Sequence, residues 1–377
     1  MTSSLFDRFD YPTLTESIYL NQASLGLLGQ PAVGAMHRFL DEVGRHGNLH
    51  MSDDDEVGFL GALRERAGRL FHTETRRIAI LSSASELLSQ VPFIFQPPQG
   101  AKVIAVATDF PAITRPWLRL AERGACRVQF VEDNPESDLT TDLIAEIDDQ
   151  TSLITVGSVQ YATGSLVDVS RLRAATAHVG VKLVIDATQS AGAMDIDGAT
   201  WRADMVVSSG YKWLGGHGGV AIAAMGPSTL ERIPPLPGWM GASDPFEFDA
   251  TRLTLADDAR RYTQSTMSYV SVVGLTAALD QLLPLGMAEI EHHATRLAHL
   301  LVDAVEPHGW RAIRRLDDPA ACPHIISLSH PGDDLASTMT RLREAGIVCS
   351  SRGDRLRVSL APYNDDSDID ALTNALS

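Results

Sequence analysis

Lysine is nearly missing from this chain: of 31 basic residues only three are lysine, Lys102, Lys182 and Lys212. Cysteine is as scarce. Cys126, Cys322 and Cys349 are far apart and form no CxxC pair, which excludes a disulfide framework and a cysteine-rich zinc ribbon and fits a reducing, cytoplasmic setting. Net positive charge is lacking too. A formal charge of −17 excludes the broad basic face of a nucleic-acid binder, although a local site can still attract a small anion. No apolar run is long enough to span a bilayer, so no membrane partner is expected. The opening "MTSSLFDRFDYPTLTES" has no basic region followed by an apolar core, so no secretory signal is expected.

What is present is ordinary for a large globular chain: 377 residues, 44% hydrophobic and 21% charged, with no internal repeat. Short apolar runs alternate with helical patterns. The runs are "RIAILS", "KVIAVAT", "CRVQFVE", "SLITVGSVQ", "KLVIDAT", "ADMVVSS" and "GVAIAAM". Near-continuous apolar strands separated by helices predict an α/β domain whose mostly parallel sheet is covered on both faces. Beyond residue 227 the chain is rich in proline and glycine. It then enters a long helical pattern, with a break expected at Pro284–Gly286, and a strand–helix–strand–helix tail. Ligands on open sheets of this kind bind outside the carboxyl ends of the strands. The segments to inspect are therefore 82–86, 109–111, 160–164, 186–192 and 208–219.

The last of these reads "SSGYKWLGGHGG". Lys102 and Lys182 open apolar runs, where a charge commonly marks the solvated end of a strand. Lys212 alone follows a strand into a glycine-rich turn. This is no P-loop, because that motif places its glycines before the lysine and a hydroxyl residue directly after it. Taken alone, "YKW" also fits a strand-end cation. Asp186 in "LVIDATQSAG" closes a strand, and "LSSASELL" opens a helix whose free amides would attract an anion, although Ser-x-x-Glu is equally a capping box. Adjacent histidines in "EHH" (291–293) point in different directions on a helix, read as surface residues, and give no metal site.

In order and spacing these segments resemble the fold-type I pyridoxal-phosphate enzymes, specifically the class V aminotransferase group. That group includes cysteine desulfurases, selenocysteine lyases, kynureninases and isopenicillin-epimerase-like proteins. The resemblance runs from "YLNQASLG" to "LRVSLAPYNDDSDIDAL", nearly the whole chain. It implies a large cofactor-binding domain over 15–255 and a small α+β domain from 1–14 and 256–377. It also implies a homodimer with active sites at the subunit interface. The cofactor implied is pyridoxal 5'-phosphate, and Lys212 matches its Schiff-base lysine. Asp186 matches the partner of the pyridine nitrogen, and Gln189 a ligand of the ring hydroxyl or phosphate region. Ala84, Ser85, Ser209 and Tyr211 match phosphate contacts. Phe110, in an "FP" pair, matches an aromatic that stacks on the ring, while Gln160 or Tyr161 would approach its 3′-oxygen or the substrate. Thr266 in "RRYTQSTMSY" would reach a neighbouring subunit's phosphate, although Ser265 replaces the usual glycine. Trp239 in "PGWMG" would cross the same interface. Arg357 matches the clamp for the substrate α-carboxylate, and Asn21, Ala23 and Ser24 match the segment lining the substrate side.

The reaction implied lies at Cα or Cβ of an α-amino acid joined to the cofactor through its amine. A desulfurase needs a mobile nucleophilic cysteine ahead of the carboxylate-binding arginine. Here "GIVCSSRGDRLRVS" is short, and Cys349 sits at a strand end. β-Elimination from an S-substituted cysteine needs no such thiol and is the expected chemistry. Kynureninase-like hydrolysis is the alternative, followed by transamination, epimerisation or oxidative deamination. A non-enzymatic cofactor-binding regulator would lack Lys212 or Asp186, and both are present.

Overall fold

The computed structural model describes residues 4–377. Two helices lead in: α1 (Gln30–His46), started by Pro31, and α2 (Asp53–Leu70), whose Ser52 cap and Asp55 bond reciprocally. The large sheet follows as β1 (Ile78–Leu81), β2 (Ala101–Val106), β3 (Cys126–Val131), β4 (Thr151–Gly157), β5 (Lys182–Asp186), β6 (Met205–Ser209) and β7 (Ala221–Met225). Helices α3 (Ala84–Phe95) and α4 (Pro111–Glu122) lie between the first three strands. The seven strands run in the order β1-β7-β6-β5-β4-β2-β3. Pairing is parallel from β3 to β6, while β7 is antiparallel to both its neighbours.

Alternation along the strands divides the core. Leu183, Ile185 and Val206 pack on one face with Leu60 and Leu63 of α2; Val184, Met205 and Val207 pack on the other with Leu87 of α3 and Trp117 of α4. Residues of β4–β6 are almost wholly buried, which is why their sequences read as continuous apolar runs. Register then aligns their ends. Gly157 pairs with Asp186, and Asp186 with Val207, so the segments that leave these three strands emerge side by side.

The long helical pattern breaks where proline and glycine predict. Helix α5 (Tyr269–Leu282) is separated by a short 3-10 turn from α6 (Met287–Val305), with Gly286 at φ +79 and a bend of 77°. Helix α5, although C-terminal to residue 256, adds Val272, Leu275 and Leu279 to the core of the large sheet. In α6, His293 is buried and its Nε2 meets the Asn364 carbonyl oxygen at 2.9 Å. That corrects the surface assignment for His293, while His292 is exposed as expected: residues 290, 293, 294 and 297 share the inward face of the helix. No single helix among the described residues is long and apolar enough to cross a membrane.

A second sheet is built from β8 (Arg311–Ala312), β9 (Ile325–Ser329), β10 (Ser350–Arg352) and β11 (Arg355–Ser359), with α7 (Asp366–Leu376) closing the chain. Its strand order is β10-β11-β9-β8. The N-terminal segment attaches to this C-terminal part of the chain. Ile18–Tyr19 pairs in parallel with Ile347–Val348, Ser359 N–H donates to Leu20, and Arg8 forks onto Asp368 of α7.

Candidate active site

The lysine turn leaves β6 at Ser209 and returns as β7. Its backbone is held from far away: Gly26 N–H donates to the Tyr211 carbonyl at 2.9 Å and Gln22 Nε2 to the Lys212 carbonyl at 2.9 Å. A Cβ on Gly26 would lie 2.3 Å from that Lys212 oxygen, so only glycine permits the approach. The Lys212 side chain is 7% exposed and forms no hydrogen bond or ion pair among the described residues. Its Nζ lies 5.5 Å from the Phe110 ring centroid and 5.8 Å from that of Tyr211. Burial pulls its pKa down to about 8; Asp186 opposes the shift, while Arg357 and Arg352 add to it.

Two carboxylates sit near the lysine. Asp186 Oδ1 accepts from Thr188 N–H at 2.8 Å, and burial raises its pKa against the opposing pull of Thr188 and Lys212. Asp109 receives an amide on each oxygen, from Phe110 at 2.8 Å and Gly157 at 2.7 Å. Burial, chiefly, brings Asp109 to about 7, and the Asp186 charge adds to the rise. A side chain at residue 157 would meet Asp109 Oδ1 at 2.9 Å, so the glycine ending β4 makes room for it.

Around these groups a pocket is lined by Ala84, Ser85, Asp109, Phe110, Tyr161, Asp186, Thr188, Gln189, Ser209, Tyr211 and Lys212. Ser83 caps α3 through the Glu86 amide, which leaves the first-turn residues Ala84 and Ser85 at the pocket with no intrahelical partner for their N–H groups. Only half of a capping box forms: the Glu86 carboxylate accepts from Ser82 N–H at 2.9 Å, one residue before the cap. Phe110 stands edge-on to Tyr161, with centroids 5.7 Å apart.

Arg357 is fully buried beside this pocket. It donates to Ser350 Oγ, the Tyr161 carbonyl, Asn21 Oδ1 and Ser24 Oγ, all neutral oxygens. Arg352 donates to the same Ser24 hydroxyl at 3.0 Å, and its guanidinium lies 6.0 Å from the Tyr161 ring centroid. Burial, then Arg352, lowers Arg357 to about 9.

Most of the residues expected from sequence therefore converge. Gln189 lines the pocket, but its amide is engaged by protein: Nε2 donates to the Ala23 carbonyl at 3.0 Å, and Trp213 Nε1 donates to Oε1 at 2.8 Å. It holds the N-terminal segment and Trp213 in place. Gln160 is buried behind the pocket, its Nε2 donating to the Gly157 carbonyl at 3.3 Å. Trp239 packs with Phe246 and Phe248 in a separate aromatic cluster, and Thr266 is exposed; neither lines this pocket. Asp109, Thr188 and Arg352 are the members that sequence reading did not single out. Asp109 carried a signal, since it follows a strand directly ahead of "FP". All three cysteines are buried, and burial pushes the Cys349 thiol up to about 12.

The donor set fits an aromatic aldehyde that carries a phosphate. It offers an unpaired buried amine, a buried carboxylate, an aromatic wall, and hydroxyls gathered at a helix N-terminus. Comparison with known proteins points the same way. A family model described as Aminotransferase class-V matches residues 18–372. The chain is 25% identical to the cysteine desulfurase CsdA of Escherichia coli strain K12, over 98% of this chain and 96% of that protein. It is 26% identical to a kynureninase of Bacillus anthracis, over 92% of this chain and 83% of the relative. Among solved structures, the cystine C-S lyase C-DES in complex with its product cysteine persulfide superposes with a TM-score of 0.87 at 20% identity. That match covers 97% of this chain and 98% of the other.

Proposed function

The chain belongs to the class-V aminotransferase family, and from that premise we propose that it is a pyridoxal-phosphate enzyme catalysing β-elimination on a cysteine-like or S-substituted cysteine substrate. The observation that carries the reading is Lys212, buried, unpaired among the described residues and lowered to about 8. At pH 7 about a tenth of such amines are neutral, against under one in a thousand for an ordinary lysine. A neutral amine is what both attack on an aldehyde and proton removal from Cα require.

When bound, pyridoxal phosphate supplies an aldehyde and an electron-withdrawing ring that accepts the electron pair released at Cα. Ser209, Tyr211, Ser85 and the amide of Ala84 would hold the phosphate, and Asp186 would face the ring nitrogen. Phe110 covers the pocket and has no group that moves a proton. Arg357 and Arg352 bind the substrate carboxylate, whose negative charge two guanidiniums with only neutral partners lack. Lys212 Nζ, itself buried at the pocket, takes the Cα proton.

The choice of elimination over desulfuration rests on the cysteines. A persulfide carrier must be exposed and partly ionised, and Cys126, Cys322 and Cys349 are buried. A thiol leaving group needs no such residue. Kynureninase-like hydrolysis is the second reading, favoured by Phe110, Tyr211 and Trp239. We further propose a homodimer in which Trp239 and Thr266 reach the partner's site; light scattering at working concentration tests it.

Purified protein given pyridoxal phosphate is expected to gain a visible absorbance band that Lys212→Ala abolishes. Pyruvate, ammonia and thiol released from S-substituted cysteines support elimination. Anthranilate from kynurenine supports the second reading. A protein that stays colourless with the cofactor refutes both.

A further inference from the structure

Helix α1 ends on a polar turn that takes no part in lining the pocket. Gly47, at φ +60, closes the helix by donating to Val43, and Leu49 N–H donates to the His46 carbonyl. The chain folds back, so that His50 lies over the last helical turn. Glu42 and His46, four residues apart on one face, then meet His50 from above. His46 Nδ1 is 3.0 Å from Glu42 Oε1, and His50 Nδ1 is 2.7 Å from the same oxygen. The two imidazole centroids are 4.4 Å apart. All three donor atoms lie within 4.8 Å of one another, and these side chains are 39–60% exposed.

We propose that Glu42, His46 and His50 form a surface site for a divalent transition-metal ion, with Zn2+ as its reference occupant. The spacing carries the proposal. Tetrahedral bonds of about 2.0–2.1 Å place neighbouring ligand atoms about 3.3 Å apart. From 3.0 and 2.7 Å, the two oxygen–nitrogen separations need to open by about 0.3 and 0.6 Å to admit the ion. Two imidazoles and one carboxylate select zinc, copper, nickel or cobalt over magnesium and calcium, which favour larger all-oxygen sets. With three protein ligands, the fourth position belongs to water. Two ligands ride on the helix and the third on the returning turn, so the ion ties residues 47–50 to the end of α1. None of the three lines the pocket around Lys212, so the site is separate from the proposed chemistry. The pattern is visible in "EVGRHGNLH" as three ligand residues at intervals of four.

The test uses cofactor-loaded enzyme, Zn2+ and a competing chromophoric chelator. One equivalent of Zn2+ is expected to bind the natural protein, and at least tenfold more weakly each of E42Q, H46Q and H50Q. Melting curves of the metal-free variants check that these exposed substitutions leave the fold intact. Zn2+ bound with unchanged affinity and stoichiometry by the H46Q/H50Q double variant overturns the proposal. So does natural protein that binds Zn2+ no more tightly than the double variant.

Discussion

Arg352 and Arg357 donate to one and the same hydroxyl, that of Ser24. Two guanidiniums converge on a neutral oxygen, one of them fully buried, and neither forms an ion pair among the described residues. Like charges held this close are costly until an anion arrives.

Removing one of them should therefore act on binding. Arg352→Met is expected to raise KM for the amino-acid substrate about tenfold, roughly 1.4 kcal/mol, with kcat changed much less. Arg357→Lys, which loses a fork geometry in a buried place, should cost on the order of 100-fold in kcat/KM. Steady-state kinetics on both variants decides; a fall in kcat alone for Arg352→Met would contradict the binding role.

Lys212 makes a prediction about pH in the cofactor-free protein. Its pKa is about 8 when folded and 10.5 when unfolded. Between these values the unfolded chain binds the extra proton, so this group's contribution to stability rises with pH through that window. Below about pH 8 both states are protonated and the cost of burying the charge is fully present. Replacing Lys212 with Met should remove that cost, stabilising the protein by roughly 3 kcal/mol at pH 7, with the advantage shrinking toward pH 10. Urea unfolding of both proteins across this range reads the difference directly.

Gly26 is the narrowest point between the N-terminal segment and the lysine turn. In Gly26→Ala the new methyl would press on the Lys212 carbonyl and on Gln22 Nε2, at 2.3 and 2.8 Å. Backbone cannot yield as a flexible side chain does, so a loss of about 1–3 kcal/mol is expected, seen as a lowered Tm. Cofactor affinity should fall with it, since the displaced atoms carry Lys212.

Cys349→Ala should leave thiol release within about twofold of the natural enzyme, because the buried, protonated sulfur has no chemical part to play. Product assays under reducing conditions give the answer, and a loss of activity without loss of cofactor would restore the persulfide mechanism.

The large sheet was legible because its central strands are buried on both faces and so read as uninterrupted apolar runs. The break at Gly286 was legible because proline and glycine act locally. The short strands Arg311–Ala312 and Ser350–Arg352 were not, since two or three residues carry no period and exist through their partners. The same division runs through the site. Lys212, Asp186 and Arg357 stand at strand ends or within a recognisable order of motifs. Asp109 acts through two backbone amides, Arg352 through a serine 328 positions away, and Gln189 through Ala23 and Trp213. Such partners are chosen by the fold, and apart from the place of Asp109 ahead of "FP" no local pattern announces them.

The strap over the lysine sets a condition on when the protein can work. Gln22 grips Lys212 from 190 residues away, and the same N-terminal segment pairs with Ile347–Val348 and receives the Ser359 amide. A chain still being synthesised can hold the lysine, its carboxylate and the large sheet before residue 359 has been made. It cannot seat the strap. The strap's anchors at 347–348 and 359 are therefore made long after Lys212, and a chain cut short before them should carry that lysine in an unfinished site.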